Sequence, residues 1–188
     1  ELGREGLMGL AMTAHAAPAD LLVQSPHHTK FYELFQQLNL GLLDEAAARL
    51  PEISFVLIGP DALAKQRLRA RPNLHLLGKR EYRELPRYLQ HADVGLIPFD
   101  VANHSELVRS IHPLKLYEYF ACGLPVVAVE WEELTYLRSP AHLCRGTGEF
   151  IAAIEQAIAN PAETSTLQSY AAGHDWSERV KAILSHLG

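Results

Sequence analysis

Four short apolar runs constrain this chain more than any other feature. They are S-F-V-L-I-G-P from Ser54, L-H-L-L-G from Leu74, V-G-L-I-P-F from Val94 and P-V-V-A-V from Pro125. Each is continuous rather than alternating, and Gly or Pro stands at one end or inside it. A strand that is apolar on both faces must be covered on both faces. Stretches with helical spacing separate the runs, and parallel strands need crossovers of that kind. The pattern predicts an α/β fold: a Rossmann-like parallel sheet with helices on both faces.

The helical stretches read as follows. Leu40, Leu43, Ala47 and Leu50 share one face, and Pro51 ends that run. Ala62–Ala70 is a short basic helix, and Tyr82–Ala92 is helical with Pro86 opening its second part. Pro113–Cys122 has Pro in its first turn and Gly123 just past its end. Thr147–Ala159 is amphipathic through Phe150, Ile151, Ile154 and Ile158. A closing helix starts at D-W-S-E, with Asp175 as its cap and Glu178 completing a capping box. His142–Arg145 reads as a fifth, short strand, and Asp100–Ile111 as a loop. Residues 39–188 therefore form the predicted domain. Residues 1–38 form an amino-terminal arm in which Gly6–Thr13 reads equally as a strand, the candidate first one, or as a helix, Ala14–Pro26 is loop-like and Phe31–Leu38 has helical spacing.

A chain of 188 residues, 48% hydrophobic and 21% charged, has ordinary globular composition. Its net charge of −5 argues against general nucleic-acid affinity. Cys122 and Cys144 stand far apart without metal-ligand spacing, which fits two reduced thiols in a cytoplasmic protein. No run approaches the roughly 20 apolar residues that span a bilayer. Gly6–Ala14 followed by Ala-His-Ala-Ala has the outline of a signal peptide, but its leading flank is as acidic as it is basic. Among ten histidines, His27-His28 are adjacent and no H-x-x-x-H or H-x-H accompanies them, so no metal site is expected.

Sheets of this kind bind ligands beyond the carboxyl ends of their strands. The loops to inspect follow Gly59, Gly78, Phe99 and Val129. The most informative stretch is Ser110–Ala128, S-I-H-P-L-K-L-Y-E-Y-F-A-C-G-L-P-V-V-A. A helix start carries free N–H groups and a positive dipole end, which suit a phosphate. Lys115 in the first turn reinforces that charge. Glu118, three residues on, shares its face and can accept hydrogen bonds from two sugar hydroxyls. The plainer reading of the same spacing is an exposed Lys/Glu pair on an amphipathic helix, with Tyr117, Tyr119 and Phe120 in the core. His112 stands at the helix cap, where it either faces a phosphate oxygen or only caps. Asp100, His104 and Glu106 lie where a donor sugar would come. Glu130, Glu132 and Glu133 read as a solvated acidic loop, with contact to sugar hydroxyls as the alternative.

The segment P-L-K-L-Y-E-Y-F-A-C-G-L-P-V-V resembles the donor-site helix of GT-B glycosyltransferases, of the retaining, metal-independent type that builds bacterial polysaccharides. P-E-I-S-F-V-L-I-G-P, P-N-L-H-L-L-G-K-R-E-Y-R-E-L-P-R-Y-L, A-D-V-G-L-I-P-F and H-D-W-S-E-R-V resemble further family segments in the same order. The resemblance covers Asn39 to Leu187. It implies the carboxyl-terminal, nucleotide-sugar-binding half of such an enzyme, with a uridine diphosphate sugar as substrate and no metal or other cofactor. It implies that Glu118 holds the ribose, that Lys115 or Arg109 steadies the diphosphate, and that the backbone at Lys79 and Arg80 lies near the base. Arg109, Ser110, His112, Pro113 and Tyr117 complete the expected site. Ser110 stands where many relatives carry an earlier glutamate, and the family's glycine-rich first loop has no clear counterpart. The acceptor, a glycan or lipid-linked glycan, would be held by an amino-terminal domain, and the full enzyme could touch the inner membrane face. Without that domain the chain is expected not to complete the transfer. The alternatives are a truncated or degenerate nucleotide-binding module without catalysis, and an α/β enzyme such as a sugar-nucleotide epimerase.

Overall fold

A computed structural model describes residues 10–13, 38–109 and 111–174. Among these the strands are β1 (Leu10–Thr13), β2 (Ser54–Ile58), β3 (Leu74–Gly78), β4 (Val94–Ile97), β5 (Val126–Val129) and β6 (His142–Cys144). They form one sheet in the order β3-β2-β1-β4-β5-β6. The four apolar runs and the short fifth one are all strands, to within two residues of their expected ends. Gly6–Thr13 contributes its last four residues to the sheet. The helical spacing at Phe31–Leu38, save for Leu38 itself, and the closing helix from Asp175 lie outside the described residues.

Neighbouring pairs β2/β3, β4/β5 and β5/β6 are parallel, as expected. The central β1 is the difference: it runs antiparallel to both β2 and β4, with Thr13 opposite Ser54 and Ala11 opposite Gly95. A tight strand–helix connection would force a parallel direction. Residues 14–37 lie outside the described residues, and a stretch of that length before α1 leaves the direction of β1 open. Leu38 instead bridges Phe99 at the carboxyl edge of the sheet.

The helices are α1 (Leu40–Arg49), α2 (Ala62–Arg67), α3 (Leu85–Leu89, after a 3-10 turn at Tyr82–Glu84), α4 (Ser105–Arg109), α5 (Leu114–Ala121), α6 (Glu132–Tyr136), α7 (Thr147–Ala159) and α8 (Thr164–Ala172). Three of these were not read from sequence. Helix α4 interrupts the expected loop at Asp100–Ile111. Helices α6 and α8 are five and nine residues long, and α6 is too short to show a period. Asn39 caps α1 by accepting from the Leu42 N–H at 2.9 Å. Gly123, with φ 77°, follows the last turn of α5 in the left-handed conformation expected there.

Both faces of the sheet are covered, and β2 shows it directly. Phe55 and Leu57 join the main core, whereas Val56 and Ile58 pack with Leu85 of α3 in a second cluster. The main core gathers Leu43, Leu96, Tyr119, Phe120, Phe150 and Ile154 at almost zero exposure.

Asn73, the one buried polar residue of the described core, ties α1 to the sheet. Its Nδ2 donates to the carbonyls of Ala47, Leu50 and Ile53, each at 3.0 Å. Asn73→Ala is expected to cost about 2 kcal/mol, because three carbonyls lose the Asn73 amide and only that of Leu50 keeps another donor, the Ile53 N–H. Chemical denaturation of the two proteins checks this.

Candidate nucleotide site and adjoining cleft

The five codirectional strands bring the loops after Gly59, Gly78, Phe99, Val129 and Cys144 to one edge. Helix α5 starts at that edge. Pro113 precedes it and has no side chain able to cap. Lys115 is the second residue of α5 and Glu118 the fifth, so both lie on one face. Neither is the solvated surface group that the plain reading of the spacing would give. Burial pushes the Glu118 carboxyl up to about 7, opposed by the charge on Lys115 and a hydrogen bond from Tyr82. Burial likewise pulls the Lys115 ammonium down to about 8, opposed by Glu118. Among the described residues no carboxylate comes within ion-pair distance of Lys115. Two ionisable groups partly removed from water that do not pair with each other are costly to a fold, and such groups concentrate at functional sites.

The loop after β3 meets this helix. The Tyr82 hydroxyl stands 3.5 Å from Glu118 Oε1, a long hydrogen bond. Lys79 and Arg80 lie in the same loop. Lys79 is exposed. Arg80 is turned inward, donating from Nε to the Tyr88 hydroxyl at 2.9 Å and from Nη1 to the Lys79 carbonyl at 3.0 Å. The structure thus brings Lys115, Glu118 and the loop from Gly78 to Tyr82 together.

The other expected residues sit elsewhere on the same segment. Arg109 lies 3.9 Å from Glu132 and 3.8 Å from Glu106. His112 Nδ1 is 3.2 Å from Glu133 Oε1. The His112 ring stacks on Tyr117 at 5.5 Å, and Tyr117 in turn meets Tyr170 of α8 at 6.3 Å. Tyr117 therefore braces α5 against α8. Ser110 lies outside the described residues. The acidic stretch after β5 leaves 59% and 41% of the Glu132 and Glu133 side chains exposed, but it is helix rather than loop from Glu132 on. Glu132 and Glu133 open α6, and their carboxylates face Arg109 and His112 on the segment that leads into α5. Glu130 pairs with Arg145, whose guanidinium holds the carboxyl below its usual range. Short runs of sequence do not encode such cross-element pairs.

An open cleft of about 720 Å³ adjoins these contacts, at the carboxyl ends of β4, β5 and β6. Phe99 and Asp100, Glu130 to Glu132, Tyr136, and Arg145 to Thr147 form its walls. Phe99 and Trp131 pack with ring centroids 5.3 Å apart. Sequence reasoning missed Tyr82, Trp131 and Arg145. Their only signal was position: each follows within four residues of the carboxyl end of a strand. His104 and Glu106 do not line the cleft. Among the described residues no cluster of three or more His, Cys, Asp or Glu is placed to hold a metal. No helix among them is long and apolar enough to cross a membrane.

This chain is similar to a Bacillus subtilis (strain 168) protein named "Putative teichuronic acid biosynthesis glycosyltransferase TuaH". The two are 28% identical over 163 residues, 81% of this chain and 40% of that protein. The chain thus spans less than half the length of the relative. A family profile described as glycosyl transferase-like matches residues 40–185, which takes in every described helix and every strand but β1. With the α/β sheet, the order of its elements and a match over most of its length, the chain belongs to the glycosyl transferase-like family.

Proposed function

We propose that this chain binds the nucleotide-sugar donor of a glycosyltransferase, a uridine diphosphate sugar, at the start of α5. One observation carries the reading: Lys115 and Glu118 are held on one face, both partly removed from water, without satisfying each other. A nucleoside diphosphate supplies what each lacks. Two ribose hydroxyls donate to the Glu118 carboxylate, and the diphosphate meets the Lys115 ammonium and the first N–H groups of the helix. The loop from Lys79 to Tyr82 then lies beside the base. As the glycosyl bond breaks, negative charge grows on the diphosphate, and the same cation and helix end stabilise it. No metal is needed for that step. The acceptor, a glycan or lipid-linked glycan, binds outside this chain.

Calorimetric titration with UDP tests the reading. Binding in the micromolar to millimolar range is expected, weakened at least about tenfold in Glu118→Ala. A folded chain that does not bind UDP, or a Glu118→Ala variant that binds it unchanged, would sink it.

A further inference from the structure

Charge is divided between the two ends of the sheet. Residues 61–90 build the β3 end: α2, the edge strand β3, the 3-10 turn and α3. They hold eight of the chain's 17 lysines and arginines against three carboxylates, those of Asp61, Glu81 and Glu84. Residues 130–163 build the β6 end, with α6 and α7, and hold six carboxylates against two arginines. A chain of net charge −5 therefore carries a strongly basic end. The run A-K-Q-R-L-R-A-R-P from Ala64 supplies half of its cations, and nothing in the nucleotide reading uses that run.

Packing turns these side chains outward around the edge strand. Ala64 and Leu68 join Phe55 and Leu57 in the main core, and Leu85 joins Val56 and Ile58 on the opposite face of β2. The inward positions are apolar, so the charged ones between them face water. Lys65, Arg67, Arg69, Lys79, Arg83 and Arg87 are all exposed. Asp61 pairs with Lys65 at 2.8 Å, and Asp44 of α1 takes Arg69 and Arg71. Arg67, Arg83 and Arg87 have no carboxylate partner among the described residues.

Like charges at this density repel one another and favour a negative partner. Cations beside an open strand also discourage edge-to-edge pairing. That guard needs charge only along β3, whereas these cations extend over both flanking helices. A flexible polyanion long enough to reach them would also pass the acidic end and be repelled there. A plane touches the molecule on one side only, and the acidic β6 end then points away from it. Clusters of about four to eight Lys and Arg bind anionic leaflets by the same attraction.

We propose that the β3 end of the sheet docks on a bilayer surface rich in anionic phospholipid, with Arg67, Arg83 and Arg87 as its principal contacts. Attraction at one end and repulsion at the other fix the orientation.

Vesicle cosedimentation of the 188-residue chain tests this, with phosphatidylcholine alone and with about 30% phosphatidylglycerol. Binding to the anionic vesicles should exceed binding to the neutral ones at least about tenfold. It should fall at least about tenfold between about 0.05 and 0.5 M salt. The triple variant Arg67→Gln, Arg83→Gln, Arg87→Gln should bind at least about tenfold more weakly, with a melting temperature within about 2 °C of the parent, since all three side chains are exposed. The three single variants, each expected to lose about threefold, carry the test if the triple one melts early. Arg138→Gln, at the acidic end, should bind as the parent does. Failure to bind anionic vesicles, equal binding to neutral ones, or unchanged binding by the triple variant overturns the proposal. An equal loss in Arg138→Gln also does so, because net charge rather than the β3 end would then govern. Polygalacturonate and a DNA duplex serve as further probes. If the chain binds either polymer through the same arginines but no vesicle, the surface belongs to a polyanion and the bilayer assignment falls. If the parent ignores vesicles and the triple variant dimerises, the cations only guard the β3 edge.

Discussion

Glu118→Gln is expected to raise the melting temperature of the ligand-free chain by about 3–6 °C at pH 7.5 while weakening UDP binding at least about tenfold. The two effects have one cause. Burial holds the Glu118 carboxyl at about 7, against 4.5 for the free group. Between pH 4.5 and 7 the unfolded chain therefore binds fewer protons than the folded one, so stability falls as pH rises through that window. The loss is complete above pH 7. Lys115 works from the other side. Its folded value of about 8 lies below the ordinary 10.5, so its cost is complete below pH 8 and is relieved as pH rises toward 10.5. Between pH 7 and 8 the ligand-free chain bears both costs. The glutamine side chain removes the acidic limb and, with partial exposure and the lost attraction to Lys115 both discounted, recovers about 1–2 kcal/mol. Melting curves from pH 4.5 to 10 check this: the fall between pH 4.5 and 7 should flatten in the variant. A residue kept only for the fold would behave oppositely and lose stability on replacement. A group that destabilises the empty chain and tightens the complex belongs to a binding site.

Gly95→Val should have the largest effect on the fold itself, a loss of about 3 kcal/mol and of UDP binding with it. Gly95 sits in the middle of β4, between β1 and β5. Even a single Cβ there would come within 2.9 Å of three atoms of the Tyr119 ring. Tyr119 belongs to α5, is 1% exposed and is packed on all sides, so the ring cannot give way. The glycine thus lets α5 lie directly on the strand, and it sets the depth of the helix that carries Lys115 and Glu118. Denaturant melts measure the loss. The smaller Gly95→Ala should recover a large part of its deficit in combination with Tyr119→Ala, as a non-additive cycle. If Gly95→Ala and Tyr119→Ala simply add, the close approach is not what the glycine provides.

The sequence was informative where local pattern and burial coincide. The runs at Ser54, Val94 and Val126 are strands because a both-face-buried strand has to be written as an uninterrupted apolar run, whereas the edge strand from Leu74 is only half-buried and tolerates His75. The start and stop of α5 were legible as Pro113 and Gly123, since the constraints on those residues are set within a few bonds. Lys115 and Glu118 could be placed on one face from their spacing alone. Their removal from water could not, because it depends on what packs beside α5: Tyr82 arrives from 36 residues away.

Direction, depth and pairing were decided only by the tertiary structure. No pattern within Leu10–Thr13 says that β1 runs against both neighbours, because a four-residue strand can pair either way and a long connection permits both. Glu132 and Glu133 are solvated charges, as their run suggests, and only the formation of α6 sets them opposite Arg109 and His112. The cleft needs the ends of three strands and three helices at once. Its aromatic walls and the Arg145 guanidinium paired with Glu130 come from segments up to 46 residues apart, from Phe99 to Arg145. Short-range periodicity records which side of each element is buried. It carries no record of which charged side chains meet across elements, since a surface charge obeys the same local pattern whether it faces water, an opposite charge or a ligand.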